Sequence, residues 1–355
     1  MKLKTKQKKQ KYKKRQENIN KTSKKKKREY FSLYLLRMSK NPVISIDKSG
    51  PVPVYKVRKI LTDEETEAKK RVFLDDDDFK VVLKEDCDVF TEDGELLLRF
   101  RKNVLSQNKI DDAWDALEGF VKHKSTDRGI ASGSDKGVNT GAKNAVMSNI
   151  IGYFDKWSIS QKSTFKHSGI RPPGMCRLCT FNARNPEKWR KVVPLIQEID
   201  EQYAKLCPKE YASQRKAAKS TPFHIRGTAF STITTNLNFR TAAHTDTGDW
   251  SEGFGNLVVI EKGTHYDGAY TGFPQYGVAV DCRNGDFLAM DVHQVHGNSP
   301  MKPTDEDSKR LSLVSYLREG IVKKCGDQKM YDAVALEKKL SAWRNRHHMT
   351  RKIKA

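Results

Sequence analysis

Apolar residues along this chain fall into short runs whose period changes twice. The first 28 positions hold almost no large apolar side chain, and folded structure is expected to begin near Tyr30, at YFSLYLLRM. VISI and VPVYKV follow, short runs beside prolines that read as strands or extended connectors. KVVLKEDCDVF and EDGELLLRFRKNVL are β-prone and separated by a turn. KIDDAWDALEGFVKH has the helical period, with Ile110, Ala113, Trp114, Leu117 and Val121 on one face. A longer helix is expected from Asn185-Pro186, where Asn suits the cap and Pro the first turn, to Cys207-Pro208. Trp189, Val192, Val193, Ile196, Ile199, Tyr203 and Leu206 form its apolar side, and Pro194 should kink or split it.

After Pro222 the pattern is different. FHIRGTAFSTITTNLNF, GFGNLVVIEKG, YGVAVDC, GDFLAMDV and RLSLVSYLR are short β-prone runs divided by Gly, Asp or Pro turns, the signature of an antiparallel sandwich or jelly roll. The end of the chain, from Met330, returns to a helical period with Ala333, Leu336, Leu340 and Trp343 on one face. The expectation is an α+β protein. Residues 1–29 would be a basic, disordered arm, 30–220 a supporting region of helices and strands, 221–322 the jelly-roll core, and 323–355 a basic C-terminal helix.

Charge adds a partner to this picture. The chain has 355 residues and a net charge of +23; residues 1–28 carry fifteen Lys/Arg against Glu17 alone, or +14, leaving +9 (23 − 14) for the rest. A basic body with a basic arm favours a polyanionic partner, and the arm reads as one for nucleic acid, DNA or RNA. KKKKR at 24–28 also suits nuclear import, and the bland reading of the arm is a solubilising tail. The Gly-rich stretch from Ser125 to Lys143 is either a phosphate-gripping loop, through Arg128, Lys136 and Lys143, or a plain linker. Neither a secretory leader nor an apolar run of membrane-spanning length is evident, and the six cysteines do not make a dense disulfide framework, so a reducing, intracellular setting is expected. Cys176-x-x-Cys179 could join Cys207 and His167 or His224 around zinc, but ordinary buried thiols are the default. Asp75 to Asp78 read most simply as a solvated turn.

The residues that carry chemistry lie between Asn236 and Arg318. On a strand, His244 and Asp246 would point the same way and present an imidazole and a carboxylate to one ion. A histidine some fifty residues on would complete a facial triad of the kind that binds non-haem Fe(II) and leaves positions open for co-substrate and oxygen. His293 and His296 compete for that place; on a strand they would face opposite sides, and the order HGNSP then Arg310 favours His296. Arg310 offers two parallel N–H donors to a carboxylate, and Ser312 faces the same side. These fit 2-oxoglutarate, which chelates the metal at one end and needs a cation at the other. Asn236, Asn238 and Arg240 lie just upstream and could line the pocket, with no role assigned to any of them.

The run His244-x-Asp246-x-x-Asp249, the distal histidine in HGNSP and the RLSLV strand resemble the branch of the 2-oxoglutarate/Fe(II) dioxygenases that contains the ten-eleven-translocation enzymes and the base-J-binding thymine hydroxylases. Before Pro222 no motif matches. The resemblance implies a double-stranded β-helix and oxidation of the 5-methyl group of a nucleobase in DNA, with O₂ consumed and ascorbate as a supporting reductant. It also implies His244, Asp246 and His296 as iron ligands, Arg310 as the 2-oxoglutarate anchor, and a base contact at Asp249. A carboxylate there accepts from the N4 amino group of 5-methylcytosine, whereas thymine would present its N3–H; the plainer role for Asp249 is a turn residue. The alternatives are a 2-oxoglutarate-dependent hydroxylase of protein side chains and an inactive DNA-binding protein on the same fold.

Overall fold

The computed structural model describes residues 41–121, 131, 133 and 147–353. The basic arm, the segment YFSLYLLRM, and Arg128, Lys136 and Lys143 of the Gly-rich stretch lie outside them. Strands β1 (Val43–Asp47) and β2 (Val54–Val57) come first, then helix α1 (Asp63–Lys69). Strands β3 (Val81–Leu83), β4 (Cys87–Thr91) and β5 (Leu96–Arg101) lead into helix α2 (Gln107–Val121). Strand β6 (Ser148–Phe154), helix α3 (Ile159–Ser168) and strand β7 (Arg177–Leu178) precede three helices, α4 (Thr180–Arg184), α5 (Pro186–Leu206) and α6 (Pro208–Lys219). The remainder is mostly strand: β8 (Thr232–Leu237), β9 (Gly255–Lys262), β10 (Tyr266–Gly268), β11 (Thr271–Phe273) and β12 (Val278–Val280). Strands β13 (Phe287–Met290), β14 (Gly297–Asn298), β15 (Met301–Pro303) and β16 (Lys309–Tyr316) follow, and helices α7 (Glu319–Cys325) and α8 (Ala333–Ile353) end the fold.

Ten strands form one sheet in the order β1-β2-β4-β5-β13-β9-β16-β8-β6-β7, and four form a second, β14-β11-β12-β3. The alternation of side chains along the central strands sorts them between two cores. Val258 and Ile260 of β9, Phe287 and Ala289 of β13, and Leu311 and Leu313 of β16 pack with Ile110, Trp114 and Leu117 of α2 and Val192, Ile196, Ile199 and Tyr203 of α5. Their neighbours Leu257, Val259, Leu288 and Met290 face Phe273, Val278 and Val280 of the smaller sheet. This is the expected α+β arrangement, a jelly roll with helices against one outer face. The functional cavity opens between the two sheets.

Strands from both sides of Pro222 share the large sheet: β5 pairs with β13 and β6 with β8. The supporting region and the jelly-roll core are therefore not successive layers. Helix α5 runs unbroken through Pro194, which sits on its exposed side, where water can satisfy the carbonyl left without a donor. Helices α6 and α7 are among those that lack an apolar stripe in the sequence. Helix α6 buries only Gln214, Ala217 and Ala218, and α7 only Ile321 and Cys325, so neither announces itself by hydrophobic period. The C-terminal helix begins at Ala333 and is separate from α7.

The cysteine and acidic clusters have structural partners. Cys176 is joined to Cys325 in a disulfide, tying the start of β7 to α7. Cys179 is buried and its thiol is pushed up to about 11 by that burial, while Cys207 lies in the core beside Tyr203. His167 and His224 turn their Nδ1 atoms to the carbonyls of Ser163 and Thr221. No zinc site assembles from these residues, because the four groups occupy different places in the fold. Asp75, Asp76 and Asp78 each pair with a separate cation, Arg240, Lys302 and Lys69. Among the described residues no helix is long and apolar enough to cross a membrane.

Candidate active site

His244 and Asp246 do not lie on a regular strand. His244 forms an isolated antiparallel bridge with His296, each backbone N–H donating to the other's carbonyl at 2.9 Å. The Asp246 N–H donates to the carbonyl of Val292 at 3.0 Å. This short, irregular ladder does what a strand was expected to do and brings the three side chains together. One ligand atom from each lies within 4.8 Å of the others, and among the described residues this is the group able to hold a metal ion.

The histidine tautomers suit that task. His244 Nδ1 is 2.7 Å from the carbonyl of Ala242, and His296 Nδ1 is 3.0 Å from that of Gln294. A carbonyl only accepts, so Nδ1 of each ring carries the proton and Nε2 keeps its lone pair. Both Nε2 atoms point at the Asp246 carboxylate, at 3.5 and 3.7 Å. Two imidazole lone pairs and a carboxylate converging on one point, each ring fixed by a second hydrogen bond, fit a divalent first-row ion. His293 is directed elsewhere: it lies in a turn, with Nε2 3.2 Å from the carbonyl of Trp250.

The triad opens into a cavity of about 410 Å³. On β16, successive side chains on one face, Arg310, Ser312, Val314 and Tyr316, line it, and the same two-residue spacing continues past the strand to Arg318. Thr234 and Asn236 of β8 line the adjoining wall. Arg310 is 5% exposed, and neither its Nε nor its Nη2 has a hydrogen-bond partner among the described residues. Leaving charged donors buried and unmatched costs several kcal/mol, roughly, so the arrangement calls for an anion. Asn238 fixes the backbone there, with its Oδ1 accepting from Arg310 N at 2.7 Å. Ser312 Oγ accepts from Asn236 Nδ2 at 3.4 Å, which leaves the Ser312 hydroxyl proton to donate into the cavity. Asn236 thus belongs to the site. Arg240 does not, since it pairs with Asp75 and lies over the Phe73 ring.

Asp249 lines the same cavity, bridged through its backbone to Arg318. Arg318 itself was not singled out from the sequence, although the spacing of Arg310 and Ser312, carried on along β16, leads to it. Its Nε donates to Asp155 Oδ1 at 2.7 Å and its guanidinium lies 4.3 Å from the centre of the Phe154 ring. Burial works against its charge, yet Tyr316, Asp155 and Asp249 offset this and hold its pKa above the usual arginine value.

With this geometry in view, the similarity to known proteins takes on a chemical meaning. Residues 164–319 match the oxygenase domain of the 2OGFeDO superfamily, Tet_JBP. This segment is similar to the Tet/JBP oxygenase domains. The Tet/JBP match begins well before Pro222, so the family pattern extends further upstream than the motifs alone indicate. It includes all the cavity residues named above from Thr234 to Arg318. The superfamily is that of the Fe(II)- and 2-oxoglutarate-dependent oxygenases. The chain is 37% identical over 147 residues to the bifunctional helicase and thymine dioxygenase JBP2 of Leishmania major, covering 41% of this chain and 13% of that protein. It is 34% identical over 176 residues to thymine dioxygenase JBP1 of Trypanosoma brucei brucei, covering 49% of this chain and 19% of that one. It therefore spans less than a fifth of the length of these relatives. Among solved structures, NgTET1 in complex with 5mC DNA superposes with a TM-score of 0.46 at 13% identity, over 67% of this chain and 78% of that one.

Proposed function

We propose that this protein hydroxylates the 5-methyl group of a pyrimidine in DNA, thymine foremost, using Fe(II), 2-oxoglutarate and O₂. The observation that carries the reading is the pairing within one cavity of the His244–Asp246–His296 cluster with the unmatched, buried guanidinium of Arg310. A metal site alone would suit many reactions. A metal site facing a buried cation suits a co-substrate with a carboxylate at each end.

In this reading His244 Nε2, Asp246 and His296 Nε2 hold the iron. Bound there, Fe(II) supplies oxidation of a C–H bond: the methyl group becomes hydroxymethyl as O₂ and 2-oxoglutarate become succinate and CO₂. Arg310 receives the far carboxylate of 2-oxoglutarate through its paired donors, and Ser312 adds an O–H donor. The Ala242 and Gln294 carbonyls keep both rings in the tautomer that leaves Nε2 available. Asp249 and Arg318, an acceptor and a donor side by side, meet the edge of the target base. Thymine offers N3–H to the carboxylate and a carbonyl oxygen to the guanidinium. A base within a duplex cannot reach so enclosed a site, so the target nucleotide is flipped out or already single-stranded.

Thymine is placed first because the relatives named above are thymine dioxygenases. The carboxylate of Asp249 also suits the N4 amino group of 5-methylcytosine, which makes that base the second reading. The basic arm and basic body would draw the protein to DNA, inside the cell and, through KKKKR, in the nucleus. Ascorbate would act from solution as a reductant. The test is succinate formation that requires 2-oxoglutarate and DNA and is lost in His244→Ala.

A further inference from the structure

The cavity does not explain one feature of the surface beside it. Ile159, the first residue of α3, is 89% exposed, far more than any other large apolar side chain among the described residues. A single exposed isoleucine is common and means little. This one, however, is rigidly mounted. Ser158 caps α3, accepting from Gln161 N at 3.2 Å while Gln161 Oε1 accepts from Ser158 N at 3.0 Å. Trp157 donates its indole N–H to the carbonyl of Gly174 at 2.6 Å and meets Phe165 edge-on at 4.8 Å. Arg177 lies over the Trp157 ring at 5.8 Å and donates from Nε to the carbonyl of Lys156 at 2.7 Å. Gln328 clasps Cys176 through both its amide atoms, holding the strand end next to Met175, which is itself 50% exposed.

Charge indicates what this platform meets. From Lys156 to Leu178 the chain has five Lys/Arg (Lys156, Lys162, Lys166, Arg171, Arg177) and no Asp or Glu. Arg177 is buried among the aromatic rings, whereas Lys156, Lys162, Lys166 and Arg171 are exposed. An apolar tip carried on a segment whose exposed charges are all cations is complementary to nucleic acid, whose phosphates surround an apolar base stack. The platform is also joined to the active site. Phe154 is shared by Arg177, at 5.6 Å, and by the cavity residue Arg318, at 4.3 Å, and Asp155 holds the Arg318 guanidinium. Ile159 is four residues on from Asp155, a reach of at most about 14 Å.

We propose that the turn Lys156–Ile159, with Met175 beside it, is a wedge against duplex DNA: Ile159 enters the stack next to the target nucleotide and the four exposed cations hold the flanking phosphates. The proposal rests on the reading of the protein as a DNA oxygenase and extends it to how a paired base is brought out. Unstacking a base step costs a few kcal/mol, roughly, and an inserted apolar side chain offsets part of that. Because the wedge matters only where a base must leave a stack, it affects duplex and single-stranded substrates differently.

The experiment compares turnover on a methylated duplex with turnover on the same sequence as a single strand, for the full chain and for Ile159→Ser, Ile159→Leu and the triple variant Lys162→Glu/Lys166→Glu/Arg171→Glu. Ile159→Ser is expected to lower the duplex-to-single-strand ratio by about fivefold or more, and Ile159→Leu to restore it. The triple variant is expected to weaken duplex binding and to make the salt dependence of log K shallower by about one for each phosphate no longer held. A 2-aminopurine placed beside the target base should brighten on binding the wild type and not on binding Ile159→Ser. An unchanged ratio in Ile159→Ser, with DNA still oxidised, overturns the wedge and leaves the oxygenase reading standing. If the wild type oxidises neither form of DNA, both fall together.

Discussion

His244 and His296 exchange both of their backbone hydrogen bonds, each at 2.9 Å, and their rings lie 4.5 Å apart. Such a reciprocal pair fixes the register of the two segments, so neither backbone can slip without moving the other. The pairing fixes which downstream histidine belongs to the cluster. His296→Ala is expected to abolish 2-oxoglutarate-dependent succinate formation, while His293→Ala retains most of it, because His293 meets the Trp250 carbonyl instead. Equal losses in the two variants would contradict the assignment.

Arg310 places a charged fork in the core with two of its nitrogen atoms unmatched. Hydrogen bonds to charged groups contribute roughly 1.5–3 kcal/mol each. Arg310→Lys keeps the charge but not the parallel donors, and should raise KM for 2-oxoglutarate about 10- to 100-fold. Without co-substrate, Arg310→Met should melt no lower than the wild type, since it removes a buried cation that lacks a full set of partners. Thermal melts with and without 2-oxoglutarate check both statements: the wild type gains stability from the ligand and the Met variant does not. A clear loss of stability in ligand-free Arg310→Met would mean that the guanidinium serves the fold rather than an anion.

Arg318 is held flat over Phe154 and tied to Asp155. Lysine can replace its charge but not its planar stacking. Arg318→Lys should therefore lower kcat/KM for DNA and leave KM for 2-oxoglutarate unaltered, and Asp249→Asn should change the ratio of oxidised thymine to oxidised 5-methylcytosine. Steady-state kinetics with each substrate varied in turn measure the first, and competition between the two bases the second. A rise in KM for 2-oxoglutarate in Arg318→Lys would place that arginine at the wrong end of the cavity.

Asp286 anchors the turn into β13 by accepting from the backbone N–H groups of Asn103, at 2.8 Å, and Arg283, at 2.9 Å. Burial raises its pKa; these hydrogen bonds and Lys102 pull it down without cancelling the rise. The folded state thus binds this proton more tightly than the unfolded chain. Its contribution to stability falls as pH rises from the ordinary carboxylate range through the folded pKa, and is regained on acidification. Asp286→Asn should flatten that part of the stability–pH profile. It should also cost about 1–3 kcal/mol near neutrality, because an amide can accept only one of the two N–H bonds. Urea unfolding at several pH values measures both effects, and an unaltered slope would show that Asp286 is not the group responsible.

The sequence made the residues of the candidate site more legible than the architecture around them. The jelly-roll strands were legible because their alternation is strict: Arg310 and Ser312 face the cavity while Leu311 and Leu313 face the helices. The triad was legible from residue types and order, although the backbone that assembles it is an isolated bridge and not a strand. What escaped depends on contacts between distant segments. The pairing of β5 with β13 and of β6 with β8 depends on which edges meet, and no local period records that. Helices α6 and α7 bury few apolar residues and so leave little periodic trace. Arg318 stands on the cavity face that begins at Arg310, yet its importance emerges only when Phe154 and Asp155 are seen beneath it.

In the proposed reaction the 5-methyl group of a pyrimidine in DNA is the site of oxidation. The most direct test of this is to incubate the protein with Fe(II), 2-oxoglutarate and DNA containing both thymine and 5-methylcytosine, digest to nucleosides and identify the products by mass. Hydroxymethyluracil is expected as the main product, any hydroxymethylcytosine in lesser amount, and neither with His244→Ala. Succinate released without any oxidised nucleoside, while a peptide substrate gains an oxygen atom, would contradict it.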